Sequence, residues 1–237
     1  MEKNELFDCR RGAKGVNWSV MKKTGIWIAI ILLGIVLFCS GFYLGRGKSE
    51  RNRDGMKIVD SVVMVEAYDA ADRRIYRGTG FCACRSDWLF TAAHVVDGMK
   101  YAVITKESGE TVTVTTILFT DDVADVAVLQ LPEGTGMKPL PLAEKVPERG
   151  SDVTVTGCPG GFRNLVTKGT LAGVWEMTGF RRIIFTAPVY EGSSGSPVTD
   201  SEGRVIGLVT AKYPDCDALN LATDVGFLKE TGSRITD

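Results

Sequence analysis

Between Thr24 and Gly45 the chain carries no charged residue, and the middle of this stretch reads Ile-Trp-Ile-Ala-Ile-Ile-Leu-Leu-Gly-Ile-Val-Leu-Phe. A helix needs about 20 apolar residues to cross a hydrocarbon core of roughly 30 Å. A globular surface helix would show a polar stripe, and this run has none. A cleaved signal peptide fits less well. Its apolar part is usually about 7–15 residues long and ends at a small-x-small site, whereas here the run is longer and no such site follows. Trp18 and Trp27 at one end, and Phe42 and Tyr43 at the other, suit the two membrane interfaces. The expected organisation is a short polar segment (1–23), a single transmembrane helix (24–45), a charged, Gly-containing linker (46–56) and a folded domain (57–237). The flanking charges do not set the orientation. Arg10, Arg11, Lys14, Lys22 and Lys23 precede the span, and Arg46, Lys48, Arg51, Arg53 and Lys57 follow it.

Composition narrows the chemistry. Lys and Arg number 28 against 29 Asp and Glu, so no basic excess points to nucleic acid. A single His excludes sites built from two or three imidazoles. The six Cys form no C-x-x-C pair, which argues against structural zinc. No metal or cofactor is expected.

Within the domain the pattern is that of short strands. Thr111–Thr115 and Asp152–Thr156 alternate β-branched apolar and polar residues with period two. Val62–Val65, Asp125–Leu131, Arg182–Thr186 and Arg204–Thr210 form further apolar or β-branched runs, with Gly and Pro clusters at 132–136 and 158–161 between strands. Helical periodicity is nearly absent outside the apolar span and the last dozen residues. The fold class expected is all-β, an antiparallel sandwich or barrel.

Three places carry chemistry. His94, the only histidine, follows Trp88-Leu-Phe-Thr-Ala-Ala, whose small residues could open an imidazole to a cleft. Asp125 opens the apolar run Val-Ala-Val-Leu, although alone it could be a solvated strand end beside Asp121 and Asp122. Ser194 sits in Glu191-Gly-Ser-Ser-Gly-Ser-Pro197, which alone could be a Gly/Ser hairpin. Together they have a consistent logic. A Ser hydroxyl needs a general base, and the base needs an acid to fix its tautomer. Glycines beside the Ser let the backbone turn sharply and aim N–H groups at one point.

These motifs resemble the trypsin-like (chymotrypsin-fold) serine proteases, especially the HtrA/Deg type and the related glutamyl endopeptidases. Gly78-Thr-Gly-Phe81 and Thr91-Ala-Ala-His-Val-Val96 resemble the family's early strands and His motif, and Asp125-Val-Ala-Val-Leu129 its Asp motif. Thr156–Gly160, Val166–Gly169, Gly192–Pro197 and Val205–Ala211 resemble parts of its second half. The resemblance implies two antiparallel six-stranded barrels with the active site between them. It implies a triad of His94, Asp125 and Ser194, and an oxyanion hole from the N–H groups of Gly192 and Ser194. Pro188, Val189 and Tyr190, with Thr210, Ala211 and Lys212, would form the specificity pocket. It also puts Cys158 and Cys216 on loops near that pocket, as the one plausible intradomain disulfide if the domain lies outside the cytoplasm.

The departures refine these expectations. HtrA-type proteases usually carry a PDZ domain after the protease, and this chain stops at Asp237. Ser196 stands where the family commonly has Gly, as in the glutamyl branch, but the second His that helps that branch select acids is missing. No Asp occupies the pocket base, so a small or medium uncharged side chain is expected before the scissile bond, unless Lys212 reaches in to favour an acid. Trypsin-like zymogens are activated when a new N-terminal ammonium pairs with an Asp just before the catalytic Ser. Here that position is Ser193, so the uncleaved chain is expected to be competent. Partners expected are polypeptide substrates and the membrane, with room for a homo-oligomer and none for nucleic acid. The expected topology is single-pass with the protease on the extracytoplasmic side. The competing reading is a catalytically inactive module that grips extended peptides at the membrane surface.

Overall fold

The first half of the domain begins with a hairpin whose turn is specified by one side chain. Strands β1 (Val62–Tyr68) and β2 (Arg74–Cys82) are antiparallel. Between them Asp69 Oδ1 accepts the N–H groups of Ala71 (2.8 Å) and Arg73 (3.0 Å). This is the Asx-type turn that Asp favours. The computed structural model describes residues 58–212 and 218–236, and of 211 and 212 the backbone alone. The predicted segments 1–23, 24–45 and 46–56 lie outside the described residues. Among those described, no helix is long and apolar enough to cross a membrane.

Next come β3 (Trp88–Thr91), a single helical turn α1 (Ala93–Val96), β4 (Tyr101–Thr105), β5 (Thr111–Val114), β6 (Ile117–Asp121) and β7 (Val126–Gln130). They form a seven-stranded sheet in the order β5-β4-β1-β2-β3-β7-β6. This differs from the expected six-stranded barrel. The reason is local: the segment 111–121 pairs with β4 through its first part and with β7 through its last. It breaks at Thr115-Thr116, so the two end strands of the sheet are consecutive in the chain. The alternation in 111–115 identifies β5, but a bend carries no periodic signal.

The second half matches expectation more closely. Strands β8 (Asp152–Gly157), β9 (Leu165–Met177), β10 (Phe180–Phe185), β11 (Pro197–Thr199), β12 (Val205–Lys212) and β13 (Asn220–Asp224) close a six-stranded barrel in the order β10-β13-β12-β11-β8-β9. Val153, Val155, Leu171, Ile183, Phe185, Val198 and Ile206 fill it. The last dozen residues are helical as expected, in α2 (Val225–Thr236). Buried Asp224 begins that helix, accepting the Phe227 N–H at 3.3 Å and pairing with Arg181. Phe227 and Leu228 then pack into the core of the first sheet with Val205 and Leu208. Fully burying side chains of this size contributes about 1.5–3 kcal/mol each, so α2 fastens one half of the domain to the other.

Candidate active site

Strand β3 is buried along its whole length and delivers the chain into α1, where Ala93, Val95 and Val96 are buried while His94 is exposed. Facing it, Asp125 immediately precedes β7 in a left-handed backbone conformation (φ 55°). Non-glycine residues adopt that region at a cost, and Asp tolerates it better than most. The turn is held from within, because Asp121 Oδ1 accepts the N–H groups of Val123 (3.0 Å) and Ala124 (2.8 Å). Asp121 therefore shapes the loop, and Asp125 is no solvated strand end. Its carboxylate meets His94 Nδ1 with both oxygens, at 3.0 and 2.9 Å, and Oδ1 also accepts the His94 backbone N–H at 3.0 Å. A carboxylate so placed puts the proton of a neutral imidazole on Nδ1 and leaves Nε2 as a base.

His94 and Ser194 line one open cavity of about 500 Å³. Among the described residues no direct hydrogen bond joins them. General-base contacts of this kind often tighten only when substrate binds. The loop carrying Ser194 is fixed through its carbonyls. Tyr190 O accepts from Ser193 N–H (2.9 Å), Glu191 O from Gly160 N–H (2.9 Å), Ser193 O from Ser196 N–H (3.0 Å) and Ser194 O from Thr79 N–H (2.8 Å). Gly192 O accepts from Thr79 Oγ1 at 2.8 Å, and that hydroxyl oxygen accepts from Cys158 N–H at 2.9 Å. The N–H groups of Gly192 and Ser194 have no protein partner among the described residues. Both residues line the cavity. Gly192 has φ 93°, and a Cβ there would lie 2.7 Å from Cys158 O, so glycine is required.

Ser196 has a different consequence. Its hydroxyl is buried without a partner, and it fits because Gly157 is bare: a Cβ on Gly157 would lie 2.1 Å from Ser196 Oγ. An unsatisfied buried hydroxyl costs about 1–3 kcal/mol. Ser196→Ala is therefore expected to stabilise the domain by about 1 kcal/mol, raising Tm by about 2–4 °C in a thermal melt. A fall in Tm would show that the hydroxyl has a role.

The predicted specificity residues with described side chains lie outside the cavity lining. The cavity is lined by Arg74, Ile75, Tyr76, Arg77, Gly160 and Glu191 beside His94, Gly192 and Ser194. None of Pro188, Val189, Tyr190 or Thr210 lines it. Tyr190 is exposed on the loop that carries Ser194, Val189 is buried, and Pro188 O accepts from Thr167 Oγ1 at 2.8 Å. Thr210 is buried in the wall, where its hydroxyl accepts from Arg182 at 2.6 Å. Ala211 and Lys212 lie on β12, their side chains outside the description. The sequence reading missed Arg74–Arg77. The available signal was the polar alternation of the first half of β2, which ends at the buried run Gly78–Cys82. Cys158 is a free, buried thiol with Sγ 3.7 Å from Asn164 Oδ1, and burial raises its pKa. Its expected disulfide partner Cys216 lies outside the described residues.

The chain has relatives among known proteins. The chain is 32% identical over 151 residues to the anti-sigma-I factor RsgI9 of Acetivibrio thermocellus, covering 63% of this chain and 21% of that protein. It is 34% identical over 167 residues to the putative serine protease HhoA of Synechocystis sp., covering 66% of this chain and 41% of that protein. The chain thus spans well under half the length of these curated relatives. The crystal structure of the Rv3671c protease from M. tuberculosis in its active form superposes with a TM-score of 0.69 at 25% identity, covering 75% of this chain and 82% of that one. Residues 78–208 match the trypsin-like peptidase domain, running from the glycine that opens the buried half of β2 to the middle of β12 and taking in His94, Asp125 and Ser194; the chain belongs to that family.

Proposed function

We propose that this chain is a membrane-anchored serine endopeptidase that hydrolyses peptide bonds through His94, Asp125 and Ser194. The observation that carries the reading is the pairing of His94 Nδ1 with Asp125 in a cavity shared with Ser194 and two unengaged N–H groups. Ser194 Oγ attacks the peptide carbonyl as His94 Nε2 takes its proton, giving a tetrahedral oxyanion held by the N–H groups of Gly192 and Ser194. Loss of one such donor costs about 10²–10³ in rate. His94 then protonates the leaving amine, and water hydrolyses the acyl-enzyme by the same steps in reverse order. Polypeptides are the substrates, with a small or medium uncharged residue before the scissile bond. Residues 24–45 anchor the chain with the peptidase on the extracytoplasmic side, where shaving of intact cells should release it.

The carbonyl ties of residues 190–194 support competence without proteolytic maturation, since they order the loop with no buried ammonium. Labelling with a fluorophosphonate tests the Ser194 chemistry. The uncleaved wild-type chain is expected to take up the probe and Ser194→Ala to take up none. Absence of label from both, with peptides still bound, would instead support an inactive peptide-binding module.

A further inference from the structure

Arg182 stands on β10 in the closed barrel, yet its guanidinium reaches the turn that carries the catalytic acid. Nη1 donates to Thr210 Oγ1 (2.6 Å) and Thr223 Oγ1 (2.8 Å), and Nη2 donates to Val123 O at 3.0 Å. Thr223 Oγ1 in turn donates to Ala124 O. The two carbonyls immediately before Asp125 are therefore both gripped from the other half of the domain. Asp125 needs such a grip, because its left-handed conformation is one that a non-glycine residue keeps only where its surroundings impose it. The guanidinium also lies 5.0 Å from the Phe180 ring centroid, so its plane is fixed on one side by an aromatic face.

We propose that Arg182 is a positioning residue for the acid–base pair: it pins the Val123–Ala124 turn so that Asp125 meets His94. The proposal rests on the triad reading above. Burial lowers the pKa of Arg182, while the charges of Asp125 and Asp121 act in the opposite direction. Other charged groups lie around the acid–base pair. Asp121, Asp122 and Asp125 come from the β6–β7 connection, Glu191 from the nucleophile loop, and Asp97 follows α1. Arg74 and Arg77 face the cavity from β2, but both pair with Glu66. Arg181, next to Arg182 in sequence, is paired with Asp224. Arg182 differs from the other cations in being bonded to the turn that carries Asp125.

The test uses the single histidine of the chain. In the full-length protein in detergent micelles, with any affinity tag removed, ¹⁵N-labelled histidine gives one imidazole, whose ring-nitrogen shifts report which nitrogen carries the proton. Arg182→Met is expected to move the proton from Nδ1 toward Nε2, because an Asp125 released from its turn no longer holds it on Nδ1. The kcat for peptide hydrolysis should fall with it by roughly tenfold or more. Arg182→Lys, which keeps the charge and loses the planar fork, should show the same change to a smaller degree. If Arg182→Met does not fold, Arg182→Gln carries the same expectation. A folded neutral variant that keeps the wild-type Nδ1–H signature would overturn the proposal, since a merely structural role leaves the tautomer unmoved. A wild type that shows the Nδ1–H signature but no Ser194-dependent hydrolysis would count against the endopeptidase reading instead.

Discussion

Asp125→Asn should lower kcat for peptide hydrolysis by about 10⁴-fold, the loss that the wrong histidine tautomer brings to triads of this type. Both carboxylate oxygens of Asp125 lie within 3.0 Å of His94 Nδ1. An amide there keeps one oxygen to accept the His94 backbone N–H, so its NH₂ is turned toward Nδ1. The amide then donates where the carboxylate accepted. The imidazole responds by carrying its proton on Nε2, and in that form it cannot take one from Ser194. KM should change little, because Asp125 is set behind His94 and does not line the cavity. Steady-state kinetics on a peptide substrate, with a thermal melt to show an intact fold, would check this. A loss of less than tenfold in the folded variant would remove Asp125 from the mechanism.

The largest effect on stability is expected at Gly195. Its φ is 85°, and a Cβ there would lie 2.0 Å from Thr79 O and 2.6 Å from Thr91 Oγ1. The contact is with β2 and β3 at the point where they hold the nucleophile loop. Gly195→Ala combines an unfavourable backbone conformation with overpacking, each of about 1–3 kcal/mol, for a loss of about 3–5 kcal/mol. At about 2–4 °C per kcal/mol this lowers Tm by roughly 10 °C or more, and fluorophosphonate labelling should fall with it. Gly109→Ala is the control. It has the same sign of φ (88°) with nothing within 4 Å of the added carbon, so only the conformational penalty of about 1 kcal/mol applies. Equal losses at the two sites would mean that the crowding at Gly195 is relieved by movement of the loop.

Legibility in the sequence followed the range of the forces involved. Strands with one face buried, such as β5 and β8, show their alternation directly. The 13-residue strand β9 was recognised only near its start, in the stretch Val166–Gly169. Most of its residues are exposed on both faces, and glycines at 169 and 173 interrupt its pattern. His94, Asp125 and Ser194 were readable because each sits in a short motif of small or apolar residues. The groups that hold them were not. Thr79 lies 113 positions from the Gly192 carbonyl it binds, and Arg182 lies 59 from Val123. Nothing local marks a threonine or an arginine for such a contact. The hydrogen bond between Arg182 and the Thr210 hydroxyl was equally hidden, since a strand position gives the face a side chain takes but not the partner it finds.

The vacancy at Gly157 sets an order on sequence change. While position 196 holds Ser, a residue with a Cβ enters position 157 only if Ser196 Oγ moves, because the added carbon would otherwise meet it at 2.1 Å. Conversion of Ser196 to Gly would clear the obstacle and open position 157 to alanine, provided Thr79 Oγ1, 3.2 Å from that same point, can give slightly. Between the present pair and a pair with glycine at position 196 and alanine at position 157, position 196 must therefore change first; the opposite order passes through a chain crowded beside Ser194.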